Sequence, residues 1–121
     1  MSQSIERKVL FQTTTGVTPT DVVIVTVPAS SIVSVTAHVL ARTSGGVRAS
    51  WALYGSLGRE GGGASLISIA LDLISPRKDV GATTWAAVID ASGNDTLVKV
   101  TGQISTTITW IIVAEIVIYT P

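Results

Sequence analysis

Thr107-Ile108-Thr109-Trp110-Ile111-Ile112-Val113-Ala114-Glu115-Ile116-Val117-Ile118-Tyr119 is the stretch whose reading decides the fold. Its β-branched residues suit a pleated strand and disfavour a helix. Read with a period of two, Ile108, Trp110, Ile112, Ala114, Ile116 and Ile118 share one face, and Thr109, Ile111, Val113, Glu115, Val117 and Tyr119 share the other. Both faces are apolar at mid-strand, which calls for protein on both sides. If the first face fills a core, Ile111, Val113 and Val117 form an outward stripe of a kind that monomers seldom expose. The stripe predicts a homo-oligomer with these three residues at the subunit interface.

The same chemistry runs back along the chain. Valine, isoleucine and threonine dominate, and no helical period competes with the alternation. Strands are predicted at residues 7–14, 21–27, 31–42, 47–57, 64–74, 83–89, 96–101 and 107–119. Thr43-Ser44-Gly45-Gly46 and the turn from Asp90 to Asp95 are suited to hairpins, because Gly and Asn accept positive φ cheaply. Pro19, Pro28 and Pro76 fall at predicted strand boundaries, where a missing N–H harms no ladder. Val33, Val35, Ala37, Val39 and Ala41 share one face of the third strand, Ile67, Ile69, Leu71 and Leu73 one face of the fifth, and Trp85, Ala87 and Ile89 one face of the sixth. The expectation is an all-β protein: an antiparallel β-sandwich, jelly-roll-like, of about eight strands. One domain over residues 7–121 follows a short N-terminal arm at residues 1–6.

The bulk numbers narrow the function. At 121 residues the chain can bury a real core. Eight basic and eight acidic residues cancel, and the charged fraction of 13% is about half the usual share, so little repulsion keeps copies apart. Arg7-Lys8 and Arg77-Lys78 are the only adjacent basic pairs, each beside a carboxylate, which argues against a nucleic-acid partner. The lack of cysteine excludes disulfides, thiolate metal sites and a Cys nucleophile. The first residues hold no apolar run of signal-peptide length, so no secretory export is expected. Ile108 to Tyr119 falls well short of a membrane helix, so no membrane partner is expected despite a mean hydropathy of +0.54.

No residue cluster spells out a reaction. His38 is the only histidine, set among Ser34, Thr36 and Leu40, and reads as a surface or interface residue. Asp90 to Asp95 has oxygen ligands spaced loosely like a calcium loop but lacks the distal Glu, and reads as an Asx-type turn. Gly58-Arg59-Glu60-Gly61-Gly62-Gly63 lacks the Lys-Ser/Thr and the helix of a phosphate loop, and reads as a surface loop. The aspartates fall mostly at strand ends and turns rather than as a glycosidase pair. The expectation is no enzyme, no cofactor and no metal. Trp51, Tyr54, Trp85 and Trp110 read mainly as anchors of core or interface; the alternative is a glycan contact at Trp51 and Tyr54, with help from the Gly58 to Gly63 loop.

Trp51 before a Gly-rich loop, Thr84-Trp85-Ala86-Ala87-Val88, the Gly93-Asn94 turn, Leu97-Val98-Lys99-Val100-Thr101-Gly102, Thr107-Ile108-Thr109-Trp110 and a closing Glu115 together resemble a domain of tailed-bacteriophage virion proteins. The likeness is to tail-fibre distal β-domains and related accessory structural proteins, and covers roughly the last two-thirds of the chain. It implies a non-enzymatic β-sandwich, usually trimeric, on the outer surface of a virus particle. With no shaft, repeat or coiled coil ahead of the domain, the expectation is a capsid decoration (cement) protein that partners the major capsid protein, with Ile5, Arg7 and Lys8 docking on the shell. The alternative is a tail-fibre or spike tip that recognises host glycan.

Overall fold

The computed structural model describes residues 2–60, 63–66 and 71–121, with the backbone alone for 2, 65, 66 and 71–75. The strands are β1 (Ser2–Thr14), β2 (Thr20–Thr26), β3 (Ser31–Arg42), β4 (Arg48–Arg59), β5 (Ser65–Leu66), β6 (Leu71–Lys78), β7 (Ala86–Ser92), β8 (Asp95–Thr101) and β9 (Ile108–Thr120). All pairings are antiparallel. The large sheet runs β1-β9-β3-β4, with β5 and β6 both on the free edge of β4; the small sheet runs β2-β8-β7. Because β5 meets Leu57 and Gly58 while β6 meets Ala49 to Tyr54, the two segments occupy one strand position. Counted by position there are eight strands among the described residues, as expected for the β-sandwich.

The jelly-roll winding is present at the chain ends, where β1 pairs with β9 in one sheet and β2 with β8 in the other. The middle of the chain departs from it. Arg42 pairs with Arg48 across the Thr43 to Val47 turn, where Gly46 takes a φ of 94°. The turn closes on itself, with the Thr43 N–H donating to the Val47 carbonyl at 3.0 Å and the Gly46 N–H to the Thr43 carbonyl at 3.2 Å, so β3 and β4 stay side by side in one sheet. Ser92 and Asp95 likewise flank a two-residue turn in which Gly93 takes a φ of 59°.

The N-terminal arm expected at residues 1–6 is strand instead from Ser2 onward, paired from Ser2↔Thr120 through Glu6↔Ile116. β9 extends as far as Thr120 and offers these residues a continuous ladder, so the first strand begins earlier than its alternation suggests. The expected face of Ile67, Ile69, Leu71 and Leu73 lies outside the described residues or their described side chains.

Between the sheets, Val33, Val35, Ala37 and Val39 of β3 and Ile108, Trp110, Ile112, Ala114 and Ile116 of β9 are fully buried against Ile24, Ile89, Val98 and Val100 of the small sheet. The tryptophans close one end of this core. Trp110 stacks on Trp51 at 5.5 Å and 29° and tilts against Trp85 at 6.2 Å and 54°. Each indole N–H that enters the interior finds an acceptor: Trp110 donates to Thr14 Oγ1 at 2.9 Å and Trp85 to Gln103 Oε1 at 3.0 Å. Gly102 is set against this bond, and a Cβ there would stand 2.7 Å from Thr14 Oγ1. Gly55 lets the sheets approach at the β4–β7 contact, since a Cβ would stand 3.0 Å from Ile89 Cγ2.

Two substitutions test this packing in urea unfolding. Gly55→Ala forces Ile89 aside in a filled core and is expected to cost about 1–3 kcal/mol. Thr14→Val strands the buried Trp110 N–H and is expected to cost about 1–3 kcal/mol. Wild-type stability for Gly55→Ala would mean that the sheets do not touch there.

Candidate functional site

Antiparallel register fixes which side chains share the outer face of the large sheet. Opposite partners point the same way, so the buried even-numbered residues of β9 put its odd-numbered residues outside. Across the sheet this gives the rows Phe11–Ile111–Leu40–Ser50, Val9–Val113–His38–Ala52, Arg7–Glu115–Thr36–Tyr54 and Ile5–Val117–Ser34–Ser56. Ile111, Val113 and Val117 stand on this face, half-buried by their neighbours. The sequence reading of their orientation therefore matches the structure.

The face is larger than that stripe. Ile5 (67%), Val9 (54%), Phe11 (68%), Leu40 (50%), Ile32 (41%) and Tyr119 (39%) are exposed beside it. β1 contributes most and is inverted relative to an ordinary edge strand. Its outward set includes Ile5, Val9 and Phe11 with Arg7, whereas its sandwich-facing set includes the polar Glu6, Lys8, Gln12 and Thr14 with Leu10, which packs on the core. Val9, Phe11, Leu40, Ile32 and Tyr119 were absent from the sequence-derived stripe. The period-two alternation of residues 5–12 carries the signal for β1, but its sign becomes readable only once β1 is paired with β9.

Polar groups on the face satisfy one another. Arg7 Nη2 meets Glu115 Oε2 at 3.3 Å, and with Thr36, His38 and Val113 this pair lines a shallow notch of ≈ 170 Å³. The Tyr54 hydroxyl lies 3.2 Å from Ser56 Oγ. Hydrogen bonding to Ser34, and then to Ser56, holds the phenol below the usual tyrosine range.

The expected docking trio divides. Ile5 and Arg7 are on the outer face, but Lys8 points to the other side of β1, where its Nζ donates to the Ile24 carbonyl at 2.6 Å. Ile24 lies at a register break in β2, between Val23↔Leu97 and Val25↔Thr96. A bulge interrupts the backbone ladder, and the Lys8 ammonium takes its carbonyl, tying the sheets together at their open corner. Lys8 is thereby removed as an outward docking residue.

The glycan platform is not assembled. Trp51 is 4% exposed, stacked on Trp110 and capped by Lys78 Nζ at 5.7 Å, so no sugar reaches its ring, while Tyr54 lies on the opposite face of β4. Gly58 and Arg59 belong to β4, and Gly61 and Gly62 lie outside the described residues. Asp90 and Asp95 are engaged within the fold: Asp90 with Lys99 at 3.3 Å and with the Ala91 N–H, Asp95 with the Thr26 hydroxyl at 2.8 Å. Among the described residues no three His, Asp or Glu side chains converge as metal ligands. No protein-family model matches the chain, and no curated protein matches it.

The serine bonds to Tyr54 have a measurable consequence. In an ultraviolet pH titration, Ser34→Ala is expected to move ionisation of Tyr54 to higher pH, because it removes the larger of the two stabilising bonds to the phenolate. An unchanged titration would contradict this arrangement of the outer face.

Proposed function

We propose that this chain is a non-enzymatic assembly subunit whose large-sheet outer face is covered by further copies of itself. The observation that carries the reading is the inverted edge strand: β1 presents Ile5, Val9 and Phe11 to solvent beside Ile111, Val113 and Val117. Exposed apolar side chains gathered on one flat face gain roughly 25 cal/mol per Å² when water is excluded. Between the Ile5–Val117 and Phe11–Ile111 rows the charged side chains are Arg7 and Glu115, and each carries its partner into the contact, which lowers the desolvation cost. Ile5 and Arg7 thus belong to the subunit interface together with Ile111, Val113 and Val117.

The role that suits such a subunit is a virion structural protein: a homotrimeric decoration protein on the outer surface of a phage head, bound to the major capsid protein. The resemblance of the Trp51, Thr84 to Val88 and Thr107 to Trp110 segments to tailed-phage virion domains supports it, as does a sandwich stabilised by packing and hydrogen bonding. Many equivalent copies, each adding a modest interface energy, stabilise a shell by mass action. Tail-fibre tip recognition of glycan has no comparable support once Trp51 is in the core.

Sedimentation equilibrium at micromolar concentration tests the self-association. The wild type is expected to sediment as a trimer. Val113→Asp buries an unpaired charge, which costs roughly 3–5 kcal/mol, and is expected to give a monomer with the tryptophan near-ultraviolet dichroism intact. A monomeric wild type, or a Val113→Asp variant that assembles normally, overturns the interface. In purified particles the decoration role requires a copy number comparable to that of the shell subunits; a few copies per particle would exclude it.

A further inference from the structure

We propose that the end of the large sheet near the β3–β4 turn binds an acidic polypeptide segment of a partner, one in which carboxylate side chains alternate with apolar ones. A concavity of ≈ 580 Å³ opens there, lined by Thr109 and Ile111 of β9, Leu40 and Arg42 of β3, Arg48 and Ser50 of β4, and Arg77, Lys78 and Asp79 at the end of β6. Three of the chain's eight basic residues, Arg42, Arg48 and Arg77, share the outer face at this place, against one carboxylate. They come from three segments that the register brings side by side, Arg42 pairing with Arg48 and Ser50 with Arg77, while Lys78, opposite the inward Ala49, sends its Nζ over Trp51.

Asp79 is already committed. Its Oδ2 accepts the Arg48 backbone N–H at 2.9 Å and lies 3.5 Å from Arg48 Nε. Among the described residues no carboxylate lies within ion-pair distance of Arg42 or Arg77. Two arginines on one face with no carboxylate among the described residues to pair them favour an incoming anion. Arginine offers a planar fork that fits a carboxylate bidentately, so Arg42 and Arg77 set the chemistry of the ligand.

The floor decides between classes of anion. It is aliphatic, built on Leu40 and Ile111; Phe11 stands beside Ile111 at its edge, and Trp51 is buried beneath Lys78. Single-stranded nucleic acid is held by successive exposed aromatic faces on which bases stack, and here Phe11 offers a single ring at the margin. An extended peptide fits instead: it sets apolar side chains on the floor and carboxylates on the basic rim. The site spans four adjacent strands, roughly 14 Å at the strand spacing, which about four or five extended residues cover. The floor shares Leu40 and Ile111 with the face proposed to be covered by further copies, so the peptide competes with self-association there; the arginine variants, read by anisotropy and not by sedimentation, separate the two.

The probe is a fluorescein-labelled hexapeptide alternating glutamate with leucine, titrated with the full-length chain and followed by anisotropy. Saturable binding that weakens with added salt is expected, with roughly tenfold loss for Arg42→Ala or Arg77→Ala, and none for Lys99→Ala on the small sheet. A matched peptide with glutamine in place of glutamate is expected not to bind. Thermal melts confirm that each variant is folded. The proposal is overturned if the acidic peptide does not bind, if the glutamine peptide binds equally well, if the two arginine variants bind like wild type, or if an oligothymidylate of equal length binds more tightly than the peptide.

Discussion

The constraint on which the rest of the molecule depends is the position of β9 between β1 and β3. A central strand gives up its whole backbone to ladders on both sides, so its two faces are the only surfaces it has. One of them, Ile108 to Ile116 in steps of two, is fully buried against the small sheet. The other is set by the same covalent alternation and cannot be made polar by any adjustment of the backbone. Its register then fixes the neighbours: Phe11 and Leu40 must flank Ile111, and Val9 and His38 must flank Val113. The apolar outer face is therefore a property of three strands held in one register.

The tryptophan cluster holds that register at one end. The Trp110–Thr14 hydrogen bond joins β9 to β1 inside the core, and Trp110 is stacked on Trp51 of β4 across the sheet. A slip of one residue would expel Trp110 to solvent and strand its partner hydroxyl. At the other side of the sandwich, Lys8 reaches the bulged carbonyl of Ile24. On the inner face of β1, Leu10 packs on the core while Lys8 and Thr14 make these bonds, and the exposed Ile5, Val9 and Phe11 stand outside.

The sandwich was legible because Val, Ile and Thr alternate cleanly and glycine-containing turns separate the strands. The outward direction of Ile111, Val113 and Val117 was legible from Trp110 and its even-numbered companions, whose bulk has to be inside. The start of β1 was not, since the polar Gln3, Ser4 and Glu6 read as part of a solvated arm at residues 1–6 until β9 is known to run beside it. The contribution of Val9, Phe11 and Leu40 depends on pairings between strands as much as about a hundred residues apart in the chain. The basic end was hidden for the same reason: Arg42, Arg48 and Arg77 look dispersed along a neutral sequence, and only the β3–β4–β6 ladder gathers them. Trp51 and Tyr54 are close in sequence, but their spacing is odd, so a strand sends them to opposite faces.

Because the chain has no cysteine, the covering of the outer face can be measured by thiol labelling at a single introduced site. Val113→Cys stands at the centre of the face, and Val88→Cys stands on the exposed side of the small sheet as the reference. At micromolar concentration the maleimide rate at position 113 is expected to be far slower than at 88, and to rise towards it as the protein is diluted. Equal rates at the two positions, independent of concentration, would contradict the claim that copies of this chain meet across β1, β9 and β3.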